Sequence, residues 1–117
     1  MNYYNEWDPK AAAWLRALID GGLLPQGYVD ERSITEVKPE ELNGYTQCHF
    51  FAGIAGWPYA LQLAGVPADQ PLWTGSAPCQ PFSTAGQRGG YDDERHLAPA
   101  WLDLIRECRP PILFGEQ

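Results

Sequence analysis

Apolar and polar positions along the chain fall into blocks whose period changes at glycines and prolines. Asp8 followed by Pro9 reads as a cap and first turn, KAAAWLRALID is rich in helix formers, and Gly21-Gly22 supplies a stop, so a helix is predicted there. GYTQCHFF is β-branched and aromatic and predicts a strand, which AGIAGW turns into a second helical pattern. In that pattern Trp57, Ala60, Leu61 and Ala64 recur at i, i+3, i+4 and i+7 and give way at Gly65. A short apolar piece, PLWTG, leads into a glycine-rich, charged loop that ends near Leu97. Beyond it Leu97, Trp101, Leu104, Ile105 and Cys108 mark one face of a third helix, and PPILFGEQ reads as a buried strand.

Strands alternating with helices at this spacing predict the α/β class, an open, mostly parallel sheet with flanking helices. In such sheets ligands bind at the carboxyl ends of the strands. NEWD, FAGIAG, APCQPFS and GEQ all fall at such ends, so the pattern gathers them on one edge.

Composition narrows the picture. A chain of 117 residues, 44% hydrophobic with five Trp and six Tyr, predicts one folded domain rather than a disordered tail. There are no internal repeats or low-complexity tracts. No apolar run approaches membrane-spanning length, and MNYYNEWDPK has neither a basic nor an apolar leader region, so a cytoplasmic protein with no membrane partner is expected. Cys48, Cys79 and Cys108 are widely spaced and lack a C-x-x-C pairing, which predicts reduced thiols rather than a disulfide frame or a zinc site. No metal is expected. The net charge of −7 sits awkwardly with contact to phosphate backbones, whose affinity comes largely from Lys and Arg.

The candidate chemistry centres on Cys79. A lone cysteine is more often a small buried hydrophobe than a nucleophile. Here Pro78 and Pro81 fix the backbone on both sides, which aims the thiol just beyond a strand end. The run PCQPFS resembles the nucleophile motif of the DNA cytosine-5 methyltransferases of phage and bacterial type, in which the equivalent cysteine attacks C6 of the target base.

The resemblance extends through nearly the whole chain. HFFAGIAG is similar to the family's first motif, a strand and glycine turn that wraps S-adenosylmethionine, with Phe51 against the cofactor and Gly53 letting the backbone approach it. His49 stands where an acidic residue is usual, and Ala55 replaces a glycine, adding a methyl where the backbone must pass close. GGYDDERHL resembles the loop that closes over the flipped base. LFGEQ is similar to the family's E-N-V motif and places Glu116 at the carboxylate that holds cytosine, with Gln117 in place of asparagine. Too little chain separates the glycine turn from Cys79 for the two motifs that usually lie between them; both resemble segments nearer the front. NEWDPKAAAWL resembles the second motif, with Glu6 for the ribose hydroxyls and Trp7 to stack on adenine. RSITEV resembles the third, with Ser33 where aspartate usually meets the adenine amino group and Ile34 beside it. The implied motif order is permuted.

On this resemblance the cofactor-binding residues are Glu6, Trp7, Ser33, Ile34, Phe51, Ala52, Gly53, Gly56, Pro78 and Leu97, and the cofactor is S-adenosylmethionine. Pro78, Gln80, Ser83 and Arg95 would meet the substrate, and Cys79 and Glu116 would be catalytic. Plainer readings stay open beside these: an N-cap and a core Trp7 for NEWDP, a solvated terminal residue for Glu116, and for Arg95 a salt link to Asp92, Asp93 or Glu94. His96 reads as a loop or helix-start residue, and Cys48 and Cys108 read as core.

The resemblance further implies that residues 1–117 form an incomplete Rossmann-like catalytic domain. The family's basic target-recognition region is expected to be absent, which would account for so acidic a chain. DNA would then be a partner only with that other part supplied, by a second polypeptide for instance. The last strand's exposed edge is expected to favour self-association. The competing expectation is a non-catalytic remnant that acts through its acidic surface as an inhibitor or regulator binding another protein.

Overall fold

The computed structural model describes residues 1–78 and 97–116. Five parallel strands form one sheet: β1 (Asn2–Asn5), β2 (Gly27–Asp30), β3 (Gln47–Phe50), β4 (Leu72–Ser76) and β5 (Leu113–Glu116), in the order β2-β1-β3-β4-β5. With helices α1 (Pro9–Asp20), α2 (Gly56–Leu63) and α3 (Leu97–Cys108) this is an incomplete Rossmann-like α/β fold, as the alternation of elements predicts. The strand that opens the chain lies inside the sheet, between β2 and β3. No helix among the described residues is long and apolar enough to cross a membrane.

The local signals around α1 act as expected. Asp8 accepts from the Lys10 amide at 3.2 Å, Pro9 occupies the first turn, and Gly21 caps the end before Gly22 turns at φ 77°. Ala12, Leu15 and Ile19 then face the sheet, where they pack with Tyr4, Leu24 and Val29. On the other face α3 brings Trp101 and Leu104 against Tyr3, Phe50 and Trp73, joined by Ile34, Val37 and Leu42 from two 3₁₀ turns, Ile34–Glu36 and Pro39–Leu42. Adjacent residues of one strand therefore serve opposite cores: Tyr3 and Cys48 belong to the α3 side, while His49 stacks on Tyr4 across the sheet, 5.4 Å between ring centres. Burial pushes the Cys48 thiol up to about 12, in keeping with its core position.

Two expectations need correction. In α2 the buried positions are Pro58 and Leu61, whereas Ala60 and Ala64 are exposed and Trp57 is half-buried, so the face is rotated from the one the spacing predicts. The cause is the helix entry: Ala55 takes a left-handed conformation (φ 75°), and Trp57 is drawn aside to stack on Phe114 and donate to Ser76 Oγ at 2.8 Å. The final strand is also exposed along its whole length rather than buried, with Leu113 at 42% and Phe114 at 40%, because β5 is an edge strand among the described residues.

Close packing over β4 and β5 rests on Gly75. A β-carbon built there would lie within the Trp101 indole, whereas one at Gly115 would lie 3.3 Å from the same ring and ask for only a small shift. Gly75→Ala is expected to cost about 2–3 kcal/mol by displacing Trp101 from both strands. Urea unfolding followed by tryptophan fluorescence checks this; an unchanged midpoint would show that the ring has room to shift.

Candidate active site

The parallel sheet brings every strand's carboxyl end to one edge, where the described parts of the flagged segments lie. One cavity at that edge is lined by Asn5, Glu6, Trp7, Ser33, Ile34, Phe51 and Leu97. About 460 Å³ of space lies within it, open mouth included. Six of the ten residues assigned to cofactor contact thus share one wall, from four separate stretches of chain. Trp7 is 56% exposed, which sets aside the reading of it as core, and its ring stands at the rim.

The segment after β3 is held in strained geometry. Phe51 (φ 52°), Gly53 (φ 56°) and Ala55 (φ 75°) all take left-handed angles, which costs about 1–2 kcal/mol for each non-glycine residue. Glu6 pins this turn: its Oε1 accepts from the Gly53 amide at 2.6 Å, and its Oε2 accepts from the Asp8 amide at 2.9 Å. Ala52, Gly53, Gly56 and Pro78 do not line the cavity. Ala52 packs into the α1 core, Gly53 supports Glu6, Gly56 opens α2, and Pro78 is half-buried beyond β4. The Ala55 methyl is buried in that same core rather than at the cavity wall, so the substitution does not narrow the cavity.

Ser33 caps the first 3₁₀ turn, accepting from the Thr35 amide at 3.3 Å, which presents Ile34 to the cavity. A charged network just before it was not singled out in the sequence. Asp30, 1% exposed, accepts from Tyr3 Oη at 2.7 Å and from Arg32 Nη2 at 2.8 Å, and Arg32 in turn donates to Glu41 at 2.9 Å. Burial pushes the Asp30 carboxyl up, but the hydrogen bonds from Arg32 and Tyr3 outweigh it and hold the group below the usual carboxylate range. The same surroundings raise the Tyr3 phenol, burial first and then its bond to Asp30. Asn5 also went unremarked. A buried polar residue at a strand end gives no periodic signal, and only its place beside Glu6 pointed to it.

Sheet register sets Glu116 beside Ser76, so the carboxylate assigned to cytosine sits level with the strand end that leads to Cys79. Glu116 is exposed and borders a second cleft, which Ala77, Ala98, Trp101, Leu102 and Gly115 also line. Cys79, Gln80, Ser83 and Arg95 lie outside the described residues, as do Pro81, the Asp92–Glu94 cluster, His96 and Gln117. Among the described residues no three His, Cys, Asp or Glu side chains are placed to hold a metal ion.

Residues 62–116 match the family described as C-5 cytosine-specific DNA methylase. The chain is similar to the Type II methyltransferase M.NgoMIV of Neisseria gonorrhoeae, at 44% identity over 45 residues. That stretch covers 38% of this chain and 14% of the relative, so the chain corresponds to a small part of that protein. No solved structure is a significant match. The matched segment spans β4, α3 and β5 and includes the PCQPFS run in its sequence; over that segment, just under half of the chain, the protein is similar to the C-5 cytosine-specific DNA methylases.

Proposed function

We propose that the chain forms the cofactor-binding and nucleophile-bearing part of a DNA cytosine-5 methyltransferase, with S-adenosylmethionine in the cavity and DNA as substrate once a target-recognition part is supplied. The observation that carries this reading is the convergence of Glu6, Trp7, Ser33, Ile34, Phe51 and Leu97 on one wall. The cavity suits a nucleoside-bearing cofactor. Trp7 and Phe51 offer aromatic faces, Ile34 and Leu97 apolar surface, and Glu6 a carboxylate with lone pairs left over for hydroxyl donors. When bound, the cofactor supplies the activated methyl group.

The chain's own residues would do the remainder. Cytosine C5 is a poor nucleophile, and addition of the Cys79 thiolate to C6 makes the ring an enamine that can attack at C5. Glu116, acting as a protonated carboxyl at N3, would stabilise the charge that builds on the ring. Loss of the C5 proton then expels the thiolate and restores the aromatic base. The base must leave the duplex stack before either residue can reach it. The residues of the PCQPFS run that precede and follow the thiol, Pro78, Gln80 and Ser83, would border the flipped base, and Arg95 would meet its phosphate.

The test is calorimetric titration of the folded chain with S-adenosylmethionine beside a Trp7→Ala variant. Loss of one stacking face is expected to weaken binding by about tenfold or more, since such stacking contributes ~1–3 kcal/mol. A folded chain that leaves the cofactor unbound would overturn the cavity assignment and favour the non-catalytic remnant.

A further inference from the structure

Asn5 closes β1 and is only 3% exposed, yet it lines the cavity. Its Nδ2 donates to two backbone carbonyls, Asp30 O at 3.1 Å and Arg32 O at 3.0 Å. Only the NH₂ end of an amide can face two carbonyls, so these contacts fix how the amide is turned and use both its protons. What Asn5 has left to offer is Oδ1, an acceptor, and among the described residues no donor meets it.

Its neighbours are differently placed. Ser33 Oγ accepts from the Thr35 amide at 3.3 Å and lies 2.9 Å from Thr35 Oγ1, so local contacts already occupy it. Glu6 is anionic, and each of its oxygens is anchored by a backbone amide. The cavity therefore has a buried end, where Asn5, Ser33 and Ile34 are 3%, 4% and 3% exposed, and an open end marked by Trp7 at 56%. A nucleoside divides in the same way. The edge of its planar base suits the buried end, and its sugar hydroxyls suit a carboxylate. An acceptor that a ligand shuts off from water is costly to leave unmet, so what enters should bring it a donor.

We propose that Asn5 Oδ1 is the specificity-determining acceptor of the cavity and takes a hydrogen bond from the exocyclic amino group of the cofactor's adenine. This assignment rests on the cavity holding S-adenosylmethionine. The two donor contacts of Asn5 strap it to the segment that leads to Ser33 and Ile34, so the acceptor is held in place before the ligand arrives, and a preorganised site rejects a ligand that cannot supply the donor.

The experiment compares two ligands on the folded chain by calorimetry: S-adenosylmethionine and the analogue carrying hydrogen in place of the amino group. The analogue is expected to bind about tenfold more weakly to the wild type, the effect of one hydrogen bond. In Asn5→Ala the ratio is expected to fall to near one, whatever happens to the affinity common to both ligands. In Ser33→Ala the tenfold ratio is expected to persist. Equal binding of both ligands by the wild type, or a ratio that survives in Asn5→Ala, would overturn the role of Asn5 and leave the cavity assignment standing. Binding of neither ligand would instead remove the cavity assignment itself. Should circular dichroism show Asn5→Ala unfolded, the wild-type ratio together with Ser33→Ala decides the matter: loss of the ratio in Ser33→Ala assigns the reading to Ser33.

Discussion

Asp30→Ala is expected to lower stability by about 3 kcal/mol, seen as a shift of the urea midpoint at unchanged slope. The substitution strands the Tyr3 hydroxyl inside the sheet and leaves Arg32 with Glu41 and the Glu36 carbonyl, after four hydrogen bonds from the Arg32 backbone and guanidinium to Asp30 oxygens at 2.8 to 3.3 Å are lost. Breaking a buried pair from one side costs ~3–5 kcal/mol, and the lower end applies because the Arg32 side chain is 40% exposed and can rehydrate. Tyr3→Phe removes one bond without burying an orphan and should cost only about 1 kcal/mol. Because the network braces the segment before Ser33, Asp30→Ala should, on the proposed cofactor assignment, also weaken cofactor binding in whatever fraction remains folded. A loss under about 1 kcal/mol would show that water replaces the carboxylate.

Lowering the pH from 7 to 4 is expected to remove about 3 kcal/mol through His49 alone. Burial pushes this imidazole down from 6.5 to about 4, and the residue is 1% exposed. Gln47 donates through its Nε2 to the carbonyls of Pro67 and Gln70, so its Oε1 is the acceptor that meets His49 Nε2 at 3.1 Å, and Nε2 carries the proton. Nδ1 is then the acceptor for Thr74 Oγ1 at 2.7 Å. The unfolded chain takes up a proton near pH 6.5 while the folded one resists until about 4. The stabilisation is therefore complete above 6.5 and declines through that interval, by about 1.4 kcal/mol per unit. Urea midpoints measured at several pH values, beside His49→Gln, check this. The variant should show a markedly flatter profile across the same interval, and equal slopes would place the sensitivity elsewhere.

Much of the fold was legible because its signals are local. Asp8, Pro9 and the Gly21-Gly22 stop specify α1 without help from the rest of the chain, and the apolar spacing of α3 matches the face that packs. β2 was not legible. Gly27 and Asp30 are poor strand formers, and the strand exists because β1 pairs with it and Tyr3 holds its last residue. The exposure of β5 was hidden for a related reason, since an apolar run does not state whether a neighbour lies beyond it. In the candidate site the motifs located the wall residues, while Asn5 and Asp30 stayed out of view: both are polar, both are buried, and each is held by a contact 25 to 27 positions away, Asn5 with the Asp30 and Arg32 carbonyls and Asp30 with Tyr3. The segment with Cys79 was the plainest sequence signal and lies outside the described residues.

The order β2-β1-β3-β4-β5 also bears on how the chain is made. On the ribosome the first strand emerges with neither neighbour, can pair with β2 only after residue 30, and waits for β3 until residue 50. The cavity wall draws on residues 5 to 7, 33 and 34, 51, and 97, so a nascent chain lacks a complete wall until α3 has begun to leave the exit tunnel. On the proposed cofactor assignment, ligand affinity reports on synthesis carried past residue 97, and a chain stalled earlier would hold part of the sheet without a complete wall.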